Sequence, residues 1–331
     1  MNKFKGLLFS LMSLIVLLVG CESSESTTES VSDKVKIVTT LFPQYDFARV
    51  IGGDKVDVKL LLPAGMESHS YEPTPADIIE INKADLFIYT GESMEQWAHS
   101  IIESVDSDSV YVLDVSKNVP LLEPNTVVED EHTHEEDHDH DHDHEDETEA
   151  QHFEHDGHHH TYDPHIWTSP KNAMIMVNNI LEALCEVDPE NQAYYETNAT
   201  EYLNELNTLD AEFEEVVANA KRDTIYHGGR FAMQYLTHDY GIHYVSAPFE
   251  AEPSAALVAQ MIKEIKENNI PVIYYEELVD PKIAKMISEE TGAQMLLLHS
   301  CHNVSKDDFN NGASYLSLMK QNVQNLKVGL N

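Results

Sequence analysis

Residues 189–221, PENQAYYETNATEYLNELNTLDAEFEEVVANAK, carry apolar side chains at Tyr194, Tyr195, Tyr202, Leu203, Leu206, Leu209, Phe213, Val216 and Val217. The spacing follows the helical period and predicts one continuous helix of roughly 50 Å. A helix of that length in a chain of 331 residues is expected to join two lobes. The flanking sequence says what those lobes are. Upstream, 36–41 (KIVTTL), 56–62 (VDVKLLL), 86–89 (LFIY) and 110–113 (VYVL) read as strands. Between them, 43–51, 74–83 and 93–104 read as helices, the second with Thr74 as N-cap and Pro75 at its first position. A further helix spans 171–187. Downstream, strands at 224–227, 242–246, 272–276 and 294–299 alternate with helices at 254–268, 280–291 and 312–326, and Gly292 caps the second of these. Such alternation over short loops predicts an α/β fold. The expectation is two lobes, each a mostly parallel four-stranded sheet flanked by helices, joined by one long backbone helix. The boundaries are 35–188 for the N-terminal lobe, 189–221 for the linking helix and 222–331 for the C-terminal lobe.

The N-terminus gives an address. Lys3 and Lys5 precede an apolar run over 6–20 that is shorter than the ~20 residues a membrane span needs. It reads as the core of a secretory signal peptide, residues 1–20. The run ends in Leu18-Val19-Gly20-Cys21, a bacterial lipobox pattern in which the Cys thiol carries diacylglycerol. A plain signal peptide with a chance Cys is the simpler alternative. The polar stretch over 21–34 reads as a flexible tether. The protein is therefore expected outside the cytoplasm, lipid-anchored to the outer face of the cytoplasmic membrane.

Formal net charge is −39, from 20 Lys and Arg against 59 Asp and Glu, which argues against nucleic acid as a partner. Much of that charge lies within 129–160, a run of His, Asp and Glu without apolar periodicity that cannot build a core. It holds His132, His134, His138, His140, His142, His144, His152, His155, His158, His159 and His160. Imidazoles among carboxylates there are expected to gather several zinc ions weakly, with a solvated linker as the plainer reading. Besides Cys21 only Cys185 and Cys301 occur, and no disulfide between them is expected.

Outside that run, four histidines fall at predicted strand-to-loop junctions or in a turn: His69, His165 in Asp163-Pro164-His165-Ile166-Trp167, His227 before Gly228-Gly229, and His299. Ligands of open parallel sheets bind at the carboxyl ends of the strands. Two lobes presenting two imidazoles each would surround a cleft with four nitrogen donors, the tetrahedral set zinc prefers. A lone His at a strand end is more often a hydrogen-bonded structural residue; four in equivalent places are not. His99, His238 and His243 lack that placement and read as surface or packing residues. Asp163 reads either as an acceptor orienting His165 or as a plain turn residue before Pro164.

These stretches resemble a known family. GMESHSYEPTPADI, DPHIW, YHGGRFAMQYLTHDYGI and the segment from FEAEPSAALVAQ to ISEETGA are similar to the cluster A-I metal-binding lipoproteins of ABC importers, over residues 35–330. The resemblance implies ligands His69, His165 and His227, with His rather than Glu at the third position marking the zinc branch over the manganese branch. The family's fourth ligand, an Asp or Glu after the last strand, falls on His299, in LLLHSCHN; His302, Cys301 and a water are the alternatives. It also implies Zn(II) as the transported ligand, an ABC permease with its ATPase as partner, and a monomer.

Three other readings compete. A manganese or iron carrier of the same fold is disfavoured for Mn by four imidazoles. A zinc hydrolase would need an open coordination position and a general base; there is no HExxH, and Glu67 and Glu276 have no catalytic placement. Adhesion, the historical label of relatives, has no recognisable binding module here.

Overall fold

The strand Leu86–Tyr89 is buried at all four positions, as a run of LFIY must be when a parallel sheet is covered on both faces. It is the third strand, β3, of a sheet whose other members are β1 (Val35–Thr39), β2 (Val56–Leu60) and β4 (Tyr111–Asp114). The computed structural model describes residues 34–68, 71–105, 109–124, 162–248 and 251–331. The lipobox, His69 and the His-rich run therefore lie outside the described residues. All pairings in the first sheet are parallel, in the order β2-β1-β3-β4. A second parallel sheet repeats this plan with β5 (Thr224–Phe231), β6 (His243–Pro248), β7 (Val272–Tyr275) and β8 (Gln294–Leu297), in the order β6-β5-β7-β8.

Helices α1 (Phe42–Gly52), α2 (Pro75–Ile81) and α3 (Ala98–Ile102) connect the first sheet, and α4 (Pro170–Val187) and α5 (Gln192–Ala218) follow it. Helices α6 (Gln234–Tyr240), α7 (Ala255–Asn268), α8 (Lys282–Thr291), α9 (Lys306–Asn310) and α10 (Tyr315–Leu330) belong to the second half. The linking helix is α5, preceded by a 3-10 turn at Pro189–Asn191. Its buried residues are Tyr195, Ala199, Tyr202, Leu206, Leu209, Phe213 and Val216, alternating steps of four and three. That spacing draws one unbroken apolar stripe along the helix. The stripe packs into a core shared by both halves, which includes Ile37, Phe47 and Trp167 on one side and Ile225, Tyr274 and Leu326 on the other. Separate clusters seal the opposite faces, one with Phe87, Ile81 and Ile101, the other with Ile273, Met261 and Ile287.

Caps follow the sequence. Thr74 Oγ1 accepts from Asp77 N–H while the Asp77 side chain bonds back to Thr74, and Gly292 takes φ +80 after α8. Three expectations change. The helix expected over 93–104 shortens to α3, because Gly91 takes φ +124 and the Glu95 carboxylate turns inward onto Thr90 N–H and Thr40 Oγ1. β5 does not stop at His227; it runs on to Phe231 with a register irregularity between Tyr226 and Arg230. β8 ends at Leu297, so His299 lies in the following loop. Gly228 explains why β5 passes so close to α8: a Cβ there would stand 2.7–2.8 Å from Ala284 backbone atoms.

Candidate metal centre

In each sheet the strand order reverses direction between the first and third strands, and that crevice is where open α/β sheets take ligands. In the second sheet it lies between β5 and β7. His227, in the irregular stretch of β5, pairs with Tyr274 of β7. Glu276 and Glu277 follow β7 directly. Gly229 lets Glu276 come close, since a Cβ would stand 3.0 Å from Glu276 Oε1 and 3.5 Å from His227 Cε1. His227 is 1% exposed, and its Nδ1 makes no well-formed hydrogen bond. Burial pushes its pKa down to about 4, with the Gly229 backbone and Glu277 pulling weakly the other way. The ring is thus neutral at ordinary pH, the state a metal requires.

His165 is buried ahead of a 3-10 turn at Ile166–Thr168. Its backbone N–H and its Nδ1 both meet Asp163 Oδ1, at 2.8 and 2.9 Å. Asp163 is thus the orienting acceptor rather than a plain turn residue. A carboxylate on Nδ1 leaves Nε2 as the lone-pair nitrogen, the arrangement metal-binding histidines use. Trp167 ties this segment to the far sheet: its ring packs edge-on to His165 at 5.6 Å and its Nε1–H donates to Ser300 O at 2.7 Å.

The loop after β8 brings both remaining candidates against Glu277. His302 Nδ1 lies 3.1 Å from Glu277 Oε1 and 2.5 Å from Ser300 Oγ, while its buried Nε2 has no hydrogen-bond partner. Burial alone would lower the ring's pKa; the hydrogen bond to Glu277 and the charges of Glu277, Glu67 and Glu276 outweigh it and raise it. Burial works against ionised Glu277, yet His299, His302 and Ser300 hold its carboxyl well below the usual range. His299 is placed differently. Its backbone is clamped by Asn322, which accepts from His299 N–H and donates to its carbonyl, both at 2.8 Å. Its Nδ1 accepts from Cys301 N–H at 2.9 Å, so the proton of a neutral ring sits on Nε2 and blocks that nitrogen for a metal. His299, the residue favoured from the sequence, thus turns its Nδ1 to the Cys301 amide, whereas His302 turns its Nδ1 to Glu277. Cys301 is also set apart. Its thiol is fully buried in the shared core, donates to His299 O at 3.7 Å, and is pushed well above its ordinary pKa, chiefly by burial.

Glu276 stands at the edge of this group, 3.7 Å from Arg230 Nε. Burial raises its carboxyl to about 7, against the pull of Arg230 and with the push of Glu277. Among the described residues no three His, Cys, Asp or Glu side chains stand close enough to hold an ion; His69 would join from outside them, next to Glu67 and Ser68. The other histidines fall as expected. His99 and His238 are exposed and face Glu92, Glu103 and Asp239 at 3.1–3.4 Å, and His243 is exposed at the start of β6. Cys185 and Cys301 are both free thiols. Glu277 is the residue that sequence reading missed. Two adjacent carboxylates follow β7, and nothing in their order says which one turns inward.

Comparison with known proteins agrees with this fold. The family described as zinc-uptake complex component A, periplasmic (ZnuA), matches residues 37–329. The high-affinity zinc uptake system protein ZnuA of Bacillus subtilis (strain 168) is 36% identical over 336 residues, covering 99% of this chain and 98% of that protein. The zinc-binding lipoprotein AdcA of Streptococcus pneumoniae (strain ATCC BAA-255 / R6) is 34% identical over 99% of this chain, which spans 61% of AdcA. The crystal structure of the Zn(II)-bound ZnuA-like domain of Streptococcus pneumoniae AdcA superposes with a TM-score of 0.71 at 30% identity, over 90% of this chain and 99% of that one. With nearly the whole of its two-sheet body matched, this chain belongs to the ZnuA family of zinc-uptake components.

Proposed function

We propose that this protein is the extracytoplasmic capture component of a zinc importer, holding Zn(II) between its two lobes through His69, His165, His227 and His302 and delivering it to an ABC permease with its ATPase. The observation that carries the reading is a pairing of rings and carboxylates. His165 and His302 each present Nδ1 to a buried carboxylate, Asp163 and Glu277, which leaves Nε2 as the donor atom. An all-imidazole set suits zinc, and a poor match for manganese follows from the same chemistry. The surrounding Glu67, Glu276 and Glu277 draw a cation toward the cleft and offset its charge. Capture needs no general base, and we read no catalytic role into these residues.

The same reading gives the N-terminus its purpose. Lipidation at Cys21 would hold the protein on the outer face of the membrane, beside the permease; no described helix is long and apolar enough to cross it. The His-rich run over 129–160 would gather zinc near the cleft when the metal is scarce. Deleting 131–160 is expected to slow growth in chelator-treated medium and to leave the tight site intact; normal growth there would argue against a gathering role.

The direct test is a titration of the mature protein without 131–160, with Zn(II) against a competing chelator and Mn(II) in parallel. One tight zinc site with far weaker manganese binding is expected. No tight site, or a preference for manganese, would overturn the assignment.

A further inference from the structure

The hydrogens around Glu277 can be counted, and the count fixes a tautomer. Glu277 is 8% exposed and accepts from Ser300 N–H at 2.9 Å and from Ser300 Oγ at 2.6 Å. A serine hydroxyl has one proton, and here it points at the carboxylate. The 2.5 Å contact between Ser300 Oγ and His302 Nδ1 then needs its proton from the ring. Nδ1 also faces Glu277 Oε1 directly, at 3.1 Å. A neutral His302 therefore carries hydrogen on Nδ1 and a bare lone pair on Nε2. That Nε2 is buried and unpartnered, an arrangement that costs stability unless something binds there. Three residues away in sequence the same carboxylate does not do this for His299. Glu277 Oε1 is 3.5 Å from His299 Nδ1, which already accepts the Cys301 amide proton.

We propose that Glu277 is the positioning residue of the site: it sets the His302 tautomer and ring angle, and so decides that His302, not His299, supplies the fourth nitrogen. Ser300 completes the brace, held on its other side by Trp167 Nε1–H on its carbonyl. The ionised carboxylate also places a negative charge one imidazole away from the cargo, which strengthens Nε2 as a donor. This inference rests on the zinc-capture reading above.

Glu277→Gln is the informative variant. The amide keeps an acceptor for Ser300, but its NH2 group offers hydrogens where the ring needs a lone pair. That drives the ring proton from Nδ1 to Nε2. Glu277→Asp keeps the charge with a shorter reach. In the full-length metal-free protein, at alkaline pH where the ring is neutral, long-range proton–nitrogen NMR, with the His302 signals identified by their loss in His302→Gln, is expected to show Nδ1–H in the wild type and Nε2–H in Glu277→Gln. Zinc affinity by chelator competition should fall ~10–100-fold in Glu277→Gln. It should recover in large part in Glu277→Asp, and the Co(II) absorption of Glu277→Gln should move away from the wild-type bands. His299→Gln should bind within a few-fold of wild type. An unchanged tautomer and affinity in Glu277→Gln, beside a weakened His302→Gln, would overturn the positioning role alone. Wild-type affinity in His302→Gln would overturn the ligand reading on which it rests. Should Glu277→Gln fail to fold, a Glu277→Asp ring with Nε2–H would refute the proposal equally well.

Discussion

At the scale of the residue, the proposed zinc site depends on where single protons sit. Asp163 does for His165 what Glu277 does for His302. Asp163→Asn is therefore expected to weaken zinc binding ~10–100-fold with little change in fold, measured by chelator competition. Part of this was legible: DPHIW places an acidic residue two positions before a histidine, and Asp163 reaches both the amide and the ring. The choice between His299 and His302 was not legible. Both stand in HSCH, and only the fold shows that the Cys301 amide, presented by a backbone at φ +63, donates to His299 Nδ1 while His302 Nδ1 faces Glu277. Another buried carboxyl, Glu95, lies just past the ends of β1 and β3, against Thr40 and Thr90. Burial raises Glu95 to about 7, despite its bonds from Thr40 and Thr90. Its folded-state pKa exceeds the unfolded value, so its contribution is fully present below about pH 4 and is lost as pH rises through 7. Glu95→Gln is expected to leave stability at pH 5 nearly unchanged and to raise it at pH 8 by up to roughly 3 kcal/mol, read from urea denaturation at the two pH values.

At the scale of the element, periodicity and caps were enough for most of the fold. LFIY, the Thr74 cap and the 4-3 stripe of α5 each appear where the sequence puts them. Failures came where a side chain reached out of its own element. Glu95 bends the start of the helix expected over 93–104 into a turn, through bonds to residues that no local pattern reveals. β5 outruns its expected end because Gly228 and Gly229 let α8 and Glu276 close in without breaking the strand. Gly228→Ala is expected to destabilise the protein by about 1–3 kcal/mol in chemical denaturation, since the added methyl meets helix backbone that cannot rotate away. An exposed Ala substitution, at Lys285 of the same helix, should change little.

At the scale of the molecule, the second half is bolted to the first through the loop that carries His302. Phe42 N–H donates to His302 O, Gly65 N–H to Val304 O, and Asn303 Nδ2 to both Pro63 O and Met66 O, at 2.8–3.2 Å. The Pro63–Met66 segment runs straight on to Glu67, Ser68 and His69. The loop that carries His302 is therefore held to the Pro63–Met66 segment by backbone and side-chain bonds, and one core continues beneath them. Such a body favours small lobe rocking over wide closure. Asn303→Ala leaves two carbonyls without their donor. It is expected to speed zinc release several-fold in stopped-flow chelator capture and to lower the thermal midpoint by several degrees.

The placement of Cys301 has one more consequence, for the extracytoplasmic role proposed above. Sulfur is zinc's other favoured donor, and a thiol stands between His299 and His302 in the chain. The fold turns it away from the cleft, buries it completely and keeps it protonated. Oxidants attack the thiolate, and they need access to it. With the imidazole cleft proposed above, a buried Cys301 would leave metal capture independent of the redox state of the surroundings.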